Sequence, residues 1–204
     1  MKLKAGMKIL FDGDSITDAN RDREDRYSLA GYSREIAGQL AAMGIECFNR
    51  GVSGNRSCDL LARLEAECEE IRPDLISLLI GINDVWRRYD SNDPTSPEQF
   101  EENYRAILKI AEKYAGQIVI LEPFLLPVDP DKERFREDLD PKIRVVRKLA
   151  REFAVTDYLP LDGLFAEACV HLPPENFSFD GVHPTEYGHR YIAGQWLGRA
   201  ETDR

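Results

Sequence analysis

The chain of 204 residues is poor in positive charge: 27 Lys and Arg stand against 37 Asp and Glu, for a net charge of -10 at pH 7. No basic stripe with interleaved aromatics interrupts that excess. Such a surface repels a phosphate backbone, so no nucleic acid partner is expected and polyanionic substrates are disfavoured. Long apolar runs are also missing. Nothing approaches the roughly 20 residues of a spanning helix. The basic stretch from Met1 to Lys8 leads into only Ile9-Leu10-Phe11 before Asp12, too short for the core of a secretory leader. The expectation is a cytoplasmic protein with no membrane association. The four cysteines, Cys47, Cys58, Cys68 and Cys169, include no CxxC pair and have no histidine at zinc-finger spacing, which points to reduced packing residues. Internal repeats, low-complexity tracts, GxGxxG and Walker patterns are absent as well.

What is present is a hydrophobic content of 43%, enough for a sizeable core, in a length that fits one domain over residues 1–204. Short apolar runs alternate with longer amphipathic segments. Strands are expected at Lys8–Asp12, Ile45–Asn49, Leu75–Ile80, Gln117–Leu121 and Val155–Leu161. Helices are expected at Leu29–Met43, Ser57–Ile71, from Ser96 or Pro97 to Tyr114, Pro141–Phe153 and Thr185–Arg199. This alternation is the signature of βαβ units, and right-handed crossovers turn it into a doubly wound α/β sandwich with a parallel sheet covered on both faces. Ligands bind such sheets at the carboxyl ends of the strands. The polar segments after Asp12, Asn49 and Ile80 should therefore hold the site. The stretch from Pro123 to Pro141, rich in Pro and charge, reads as irregular, either a flap beside the site or an oligomer contact.

Acyl transfer by a nucleophile needs a hydroxyl, a base and fixed donors for the developing oxyanion. The chain has three histidines. His171 has no acid within four residues, and His189 falls inside the last helix. His183 lies in Phe179-Asp180-Gly181-Val182-His183-Pro184, where Asp180 lies one turn before the imidazole and can accept its Nδ1–H. Ser15, in Gly13-Asp14-Ser15-Ile16-Thr17-Asp18, sits just past the first strand. Taken alone it is as readily a turn or helix-capping serine. After the second strand comes Asn49-Arg50-Gly51-Val52-Ser53-Gly54-Asn55, and after the third Ile80-Gly81-Ile82-Asn83-Asp84, whose Asn83 can present an amide N–H. The ordered set carries far more weight than any one member.

These blocks resemble the signature blocks of the SGNH, or GDSL, hydrolase family, and the resemblance runs from Ile9 to His189. It implies a three-layer, flavodoxin-like α/β/α sandwich with a five-stranded parallel sheet. It also implies that Ser15 is the nucleophile, His183 the base and Asp180 its orienting acid. The oxyanion donors would be the Ser15 and Gly54 N–H groups and the Asn83 side chain, with Gly51 a competitor for Gly54. The chemistry needs no metal or organic cofactor. Within the family the wording is most similar to bacterial intracellular acetyl-xylooligosaccharide esterases. That likeness implies removal of O-acetyl groups from carbohydrate, a small-molecule or oligosaccharide ester as substrate, and self-association into a homo-oligomer. Longer acyl chains, as for a lysophospholipase or thioesterase, are the alternative.

Candidate substrate contacts are Asp14, Asn20, Arg21, Trp86 and Arg87, with Tyr89 beside Trp86 as a second ring for a sugar face. The alternative for Trp86 is packing under the long helix. Two rival readings use the same residues. One is a metal-dependent hydrolase with Asp180, His183 and His189 as ligands and Asp12 or Asp14 added. The other is a non-catalytic module that cradles phosphate on its strand-end loops.

Overall fold

The computed structural model describes residues 1–202. Its strands are β1 (Lys2–Leu3), β2 (Lys8–Gly13), β3 (Glu46–Asn49), β4 (Leu75–Leu79), β5 (Gln117–Leu121), β6 (Asp157–Leu159) and β7 (Glu201–Thr202). The helices are α1 (Ser15–Asp18), α2 (Gly31–Leu40), α3 (Ser57–Ile71), α4 (Ile82–Asp90), α5 (Pro97–Tyr114), α6 (Arg136–Glu152), α7 (Leu161–Ala168) and α8 (Glu186–Leu197). Five strands form one parallel sheet in the order β3-β2-β4-β5-β6. The expected α/β sandwich with a five-stranded parallel sheet is the fold observed.

Strand alternation sorts the core into two layers. Ile9, Phe11, Leu75, Leu79, Val119 and Leu121 belong to one apolar cluster with Tyr32 and Ile36 of α2 and Ile192 and Trp196 of α8. Leu10, Ile76, Leu78, Ile118 and Ile120 belong to the other, with side chains of α3, α5 and α6. Successive residues of a strand point to opposite faces, so a sheet covered on both sides requires continuous apolar runs of this kind.

The helix signals work locally. Ser96 caps α5 by accepting the Gln99 N–H at 3.2 Å, and Pro97 occupies the first turn, where its missing N–H costs nothing. Thr185 caps α8 through the Gly188 N–H at 3.1 Å. Asp59 in the first turn of α3 accepts the Arg56 N–H at 2.8 Å.

The structure departs from expectation in four places. The helix placed at Pro141 begins at Arg136, with Pro141 inside it. A 3-10 turn over Pro130–Phe135 already carries helical geometry into that segment, so the proline removes one hydrogen bond early in the helix. Much of the stretch expected to be irregular is thus helical. The last strand of the sheet shrinks to three residues, and Leu161 opens α7 instead of ending a strand. The segment after Leu79 is α4, not a loop. Finally, β1 and β7 pair in a separate two-stranded parallel sheet, and the Met1 ammonium meets Asp157 at 2.9 Å.

The sheet order reverses between β2 and β4, where the crossovers leave in opposite directions. A crevice opens at the carboxyl ends of strands at such a switch point. Ser15 follows β2 and Asn83 follows β4, so the topology brings both to that crevice.

Candidate active site

Ser15 is the first residue of α1 and is half-buried. Its Oγ lies 3.1 Å from His183 Nε2, and His183 Nδ1 lies 2.9 Å from Asp180 Oδ2. The other carboxylate oxygen, Asp180 Oδ1, accepts the Val182 and His183 N–H groups at 3.0 and 2.8 Å. The Asp180 loop is thereby folded around its own carboxylate. Burial alone would raise the Asp180 carboxyl, but the His183 ring and these two N–H donors hold it well below the usual carboxylate range. The hydrogen bond to Asp180 in turn raises the imidazole above its ordinary value, outweighing partial burial. A hydroxyl, an imidazole and a carboxylate in this chain can pass a proton from serine to histidine while the carboxylate stabilises the imidazolium.

The residues expected to supply the oxyanion donors arrive from the neighbouring strand ends. Asn83 stands in the first turn of α4, whose cap Gly81 has φ +135 and whose missing Cβ leaves room for the Phe100 ring. One N–H of the Asn83 amide is held by Asn55 O at 3.1 Å, which leaves its second for the cleft. Gly54 (φ +85) lines the same cleft. Gly51 does not: its N–H is taken by Asn49 Oδ1 at 3.0 Å, and a Cβ there would sit 2.4 Å from the Asp18 nitrogen. The structure therefore sets Gly54, and not Gly51, beside Ser15. Gly51 serves the close packing of this loop against α1.

The cleft has a volume of about 480 Å³ and is lined by Ser15, His183, Gly54 and Asn83. Asn20, Ser53, Trp86, Arg87 and Asp90 complete its wall. Of the candidate substrate contacts, Asn20, Trp86 and Arg87 are thus in place, and Asp14, Arg21 and Tyr89 are not. Asp14 is buried as the cap of α1, accepting the Ile16 N–H at 3.0 Å, and burial pushes its carboxyl up to about 7. Arg21 turns away to Gly51 O at 3.5 Å. Tyr89 stacks on Phe135 at 4.6 Å between ring centroids and donates to Arg134 O at 2.8 Å. Trp86 lines the cleft 5.8 Å from the His183 ring, and it packs edge-on against Phe135 of the Pro130–Phe135 turn at 5.7 Å rather than under the long helix.

A larger cavity of about 590 Å³ lies among Leu125, Leu126, Phe165 and Val170, without Ser15 or His183 in its lining. Proximity to the reacting groups outranks size here, and the smaller polar cleft is the candidate site. The proposed metal ligands do not converge. His189 is tied down on α8, its Nδ1 accepting the Tyr32 N–H at 3.2 Å, and burial pushes its imidazole down to about 4. Asp12 pairs with Arg63 at 2.8 Å. Among the described residues no group of three or more His, Cys, Asp or Glu is arranged to hold a metal ion.

Sequence reasoning missed Lys132. It comes from the stretch after Pro123, and its ammonium lies 3.0 Å from Asp180 O, 3.5 Å from Asp180 Oδ2 and 5.0 Å from the centre of the Trp86 ring. That stretch therefore lies beside the site, one of the two places allowed for it. No local pattern marks a lysine that acts across 48 residues.

A parallel sheet with its switch point between β2 and β4, bearing a serine, a glycine, an asparagine and an Asp/His pair at its strand ends, defines the SGNH class of ester hydrolase. The chain matches the GDSL-like Lipase/Acylhydrolase family over residues 11–191 and belongs to it. It is 34% identical over 97% of its length to an acetylxylan esterase of Geobacillus stearothermophilus, covering 95% of that protein. The solved structure of that esterase superposes with a TM-score of 0.87 at 32% identity, over 97% of this chain and 95% of that one. A GDSL-like lipase structure from Parabacteroides merdae gives a TM-score of 0.89 at 34% identity, over 96% of each chain. A thioesterase 1/protease 1/lysophospholipase L1 of Escherichia coli is 31% identical over 74% of this chain and 64% of that protein. The chain is thus a carboxylic ester hydrolase of this family.

Proposed function

We propose that this chain is a serine esterase that removes O-acetyl groups from carbohydrate, with acetylated xylo-oligosaccharides as the substrate class, through an acetyl-Ser15 intermediate. The observation that carries the reading is the relay from Ser15 Oγ to His183 Nε2 at 3.1 Å and from His183 Nδ1 to Asp180 at 2.9 Å, opening onto a polar cleft. His183 takes the Ser15 proton as Oγ attacks the acetyl carbonyl. The Ser15 N–H, the Gly54 N–H and the Asn83 amide hold the oxyanion, each donor contributing about 3 kcal/mol. Among the described residues, no backbone acceptor outside the regular elements takes either N–H. His183 then protonates the departing sugar oxygen, and water repeats the cycle on the acetyl-enzyme.

The sugar is supported by two independent observations. Asn20, Arg87 and Asp90 put donors and acceptors around Trp86 at the cleft, the mixture of ring face and polar groups that suits a carbohydrate. The acetylxylan esterase is also matched over nearly its whole length, whereas the thioesterase is matched over 64%. A cytoplasmic location and self-association belong to the same reading. No described helix is long and apolar enough to cross a membrane.

The test is mass spectrometry of acetylated xylo-oligosaccharides after incubation, with aryl acetate, butyrate and octanoate esters in parallel. Loss of acetyl mass from the sugars, with acetate far ahead of octanoate, is the expected result. Preference for octanoate would move the assignment to a lipase or thioesterase. Labelling by a fluorophosphonate should fall on Ser15, and labelling elsewhere would remove the nucleophile from the scheme.

A further inference from the structure

Gly54 is flanked by two residues whose polar groups are tied to other elements. On one side, Ser53 gives both its N–H (2.9 Å) and its hydroxyl (2.7 Å) to Asp18 Oδ2. On the other, the Asn55 side chain accepts from Arg63 Nε at 2.8 Å, and Arg63 also reaches Gly13 O at 3.0 Å. Asp18 is the last residue of α1, the four-residue helix that begins with Ser15. Its side chain is buried, and Arg23 closes over it as an ion pair. The nucleophile and the loop that carries Gly54 are thus joined through one carboxylate. The helix is a single turn, so any shift of its end moves Ser15 as well.

We propose that Asp18 is a positioning residue: by holding Ser53 it fixes the distance and direction of the Gly54 N–H relative to Ser15, and so sets the strength of the oxyanion site. This rests on the reading of Ser15 and the three donors given above. Burial works against a charge at this position, but Arg23 and the two Ser53 bonds keep the carboxyl below its ordinary range, so it accepts as a carboxylate at neutral pH. Its second oxygen, Oδ1, is buried without a hydrogen-bond partner among the described residues. With its amide oxygen in the place of Oδ2, Asp18→Asn keeps the acceptor for Ser53, loses the full charge toward Arg23 and leaves a buried amide N–H without an acceptor.

The experiment compares Asp18→Ala, Asp18→Asn and Asn83→Ala with the parent enzyme. Its readouts are kcat and KM for an aryl acetate, the inhibition constant of a small alkylboronic acid that forms a tetrahedral adduct on serine, and the active fraction from fluorophosphonate titration. Asp18→Ala should lower kcat per active site about 10-fold with KM within two-fold, and weaken the boronate by a similar factor. Asp18→Asn should recover to within about three-fold of the parent. A purely structural role would lower the active fraction and leave the boronate constant of the surviving sites unchanged, and that result overturns the proposal. If Asn83→Ala weakens the boronate and Asp18→Ala does not, the proposal fails and the oxyanion reading stands. If neither variant affects the boronate, the oxyanion reading fails and the proposal with it.

Discussion

Ser15, Gly54 and Asn83 rest on buried polar groups, whereas Asp180 and His183 stand on a loop that faces solvent. Beneath the first set, Asp12, Asp14, Asp18 and Asp84 are each no more than 1% exposed, and Asn49 and Ser57 are fully buried. Each has fixed partners: Asp84 takes the Ser57 N–H and hydroxyl at 2.8 and 2.6 Å, and Asn49 Nδ2 reaches Thr17 O and Ser33 Oγ at 2.6 and 2.9 Å. In the second set, the Asp180 and His183 side chains are 29% and 44% exposed. Donors to an oxyanion work best when they are already oriented before charge develops, which favours burial and rigid bonding. A base must gain and lose a proton in every cycle, and full burial would penalise its charged form. On the proposed mechanism, the two halves of the site solve different electrostatic problems with different degrees of solvation.

The sharpest way to break this comparison is Ser15→Ala, which should lower kcat by roughly 10³-fold or more with little change in Tm. Turnover near the parent's would remove the serine from the chemistry. Asp180→Asn should cost about as much while the fold survives, because the amide oxygen still accepts the Val182 and His183 N–H groups. The same variant tests the solvated half by pH. Activity needs the neutral imidazole, whose titration Asp180 raises, so the acid limb of kcat/KM should lie above about 6.5 and fall back toward it in Asp180→Asn. For stability the signs are opposite. The raised His183 contributes most below its unfolded value and loses that contribution as pH climbs through the folded one. The depressed Asp180 contributes above its unfolded value and loses that contribution as pH falls.

On the rigid half, Asn83→Ala should lower kcat by about 10²-fold with KM nearly unchanged, since the donor acts on developing charge. A rise in KM alone would reassign Asn83 to substrate binding. The smallest effect is expected at Gly181, the buried residue between Asp180 and Val182. Gly181 has φ +90, its carbonyl accepts the Leu126 N–H at 2.8 Å, and a Cβ would lie 2.5 Å from Leu126 O. Gly181→Ala should therefore cost about 1–3 kcal/mol in thermal unfolding and lower kcat through displacement of Asp180. An unchanged Tm would show that the loop yields more readily than its packing implies.

The sheet and the four polar blocks were legible because each rests on local chemistry. Buried strands announce themselves as apolar runs such as Leu75–Leu79, and the residues just past them fall at the crevice by topology. The Asp180/His183 pair is local too, three residues apart. What escaped was non-local or masked. In α4 the helical spacing of Ile82, Val85, Trp86 and Tyr89 spans only nine residues and follows Gly81 directly, so the turn signal masks it. Pro141 reads as a helix start because nothing in its neighbourhood reveals the preceding 3-10 turn. Asp14 and Arg21 sit in a block full of polar residues, and which of these face the cleft is decided by α1 being one turn long and by Gly51 packing against it. The roles of Lys132 and Asp18 depend on contacts across 48 and 35 residues, which no window along the chain contains.

Ser15 and His183 are separated by 168 residues, although their side chains are in hydrogen-bond contact. During synthesis the chain emerges from its N-terminus, so the strands β2, β4 and β5 and their helices can condense while His183 is still unmade. The hydroxyl would sit in a nearly finished crevice with no base to activate it. On the proposed mechanism, activity then requires the docking of α8 and the loop before it, and a chain that stops short of His183 carries Ser15 without its base.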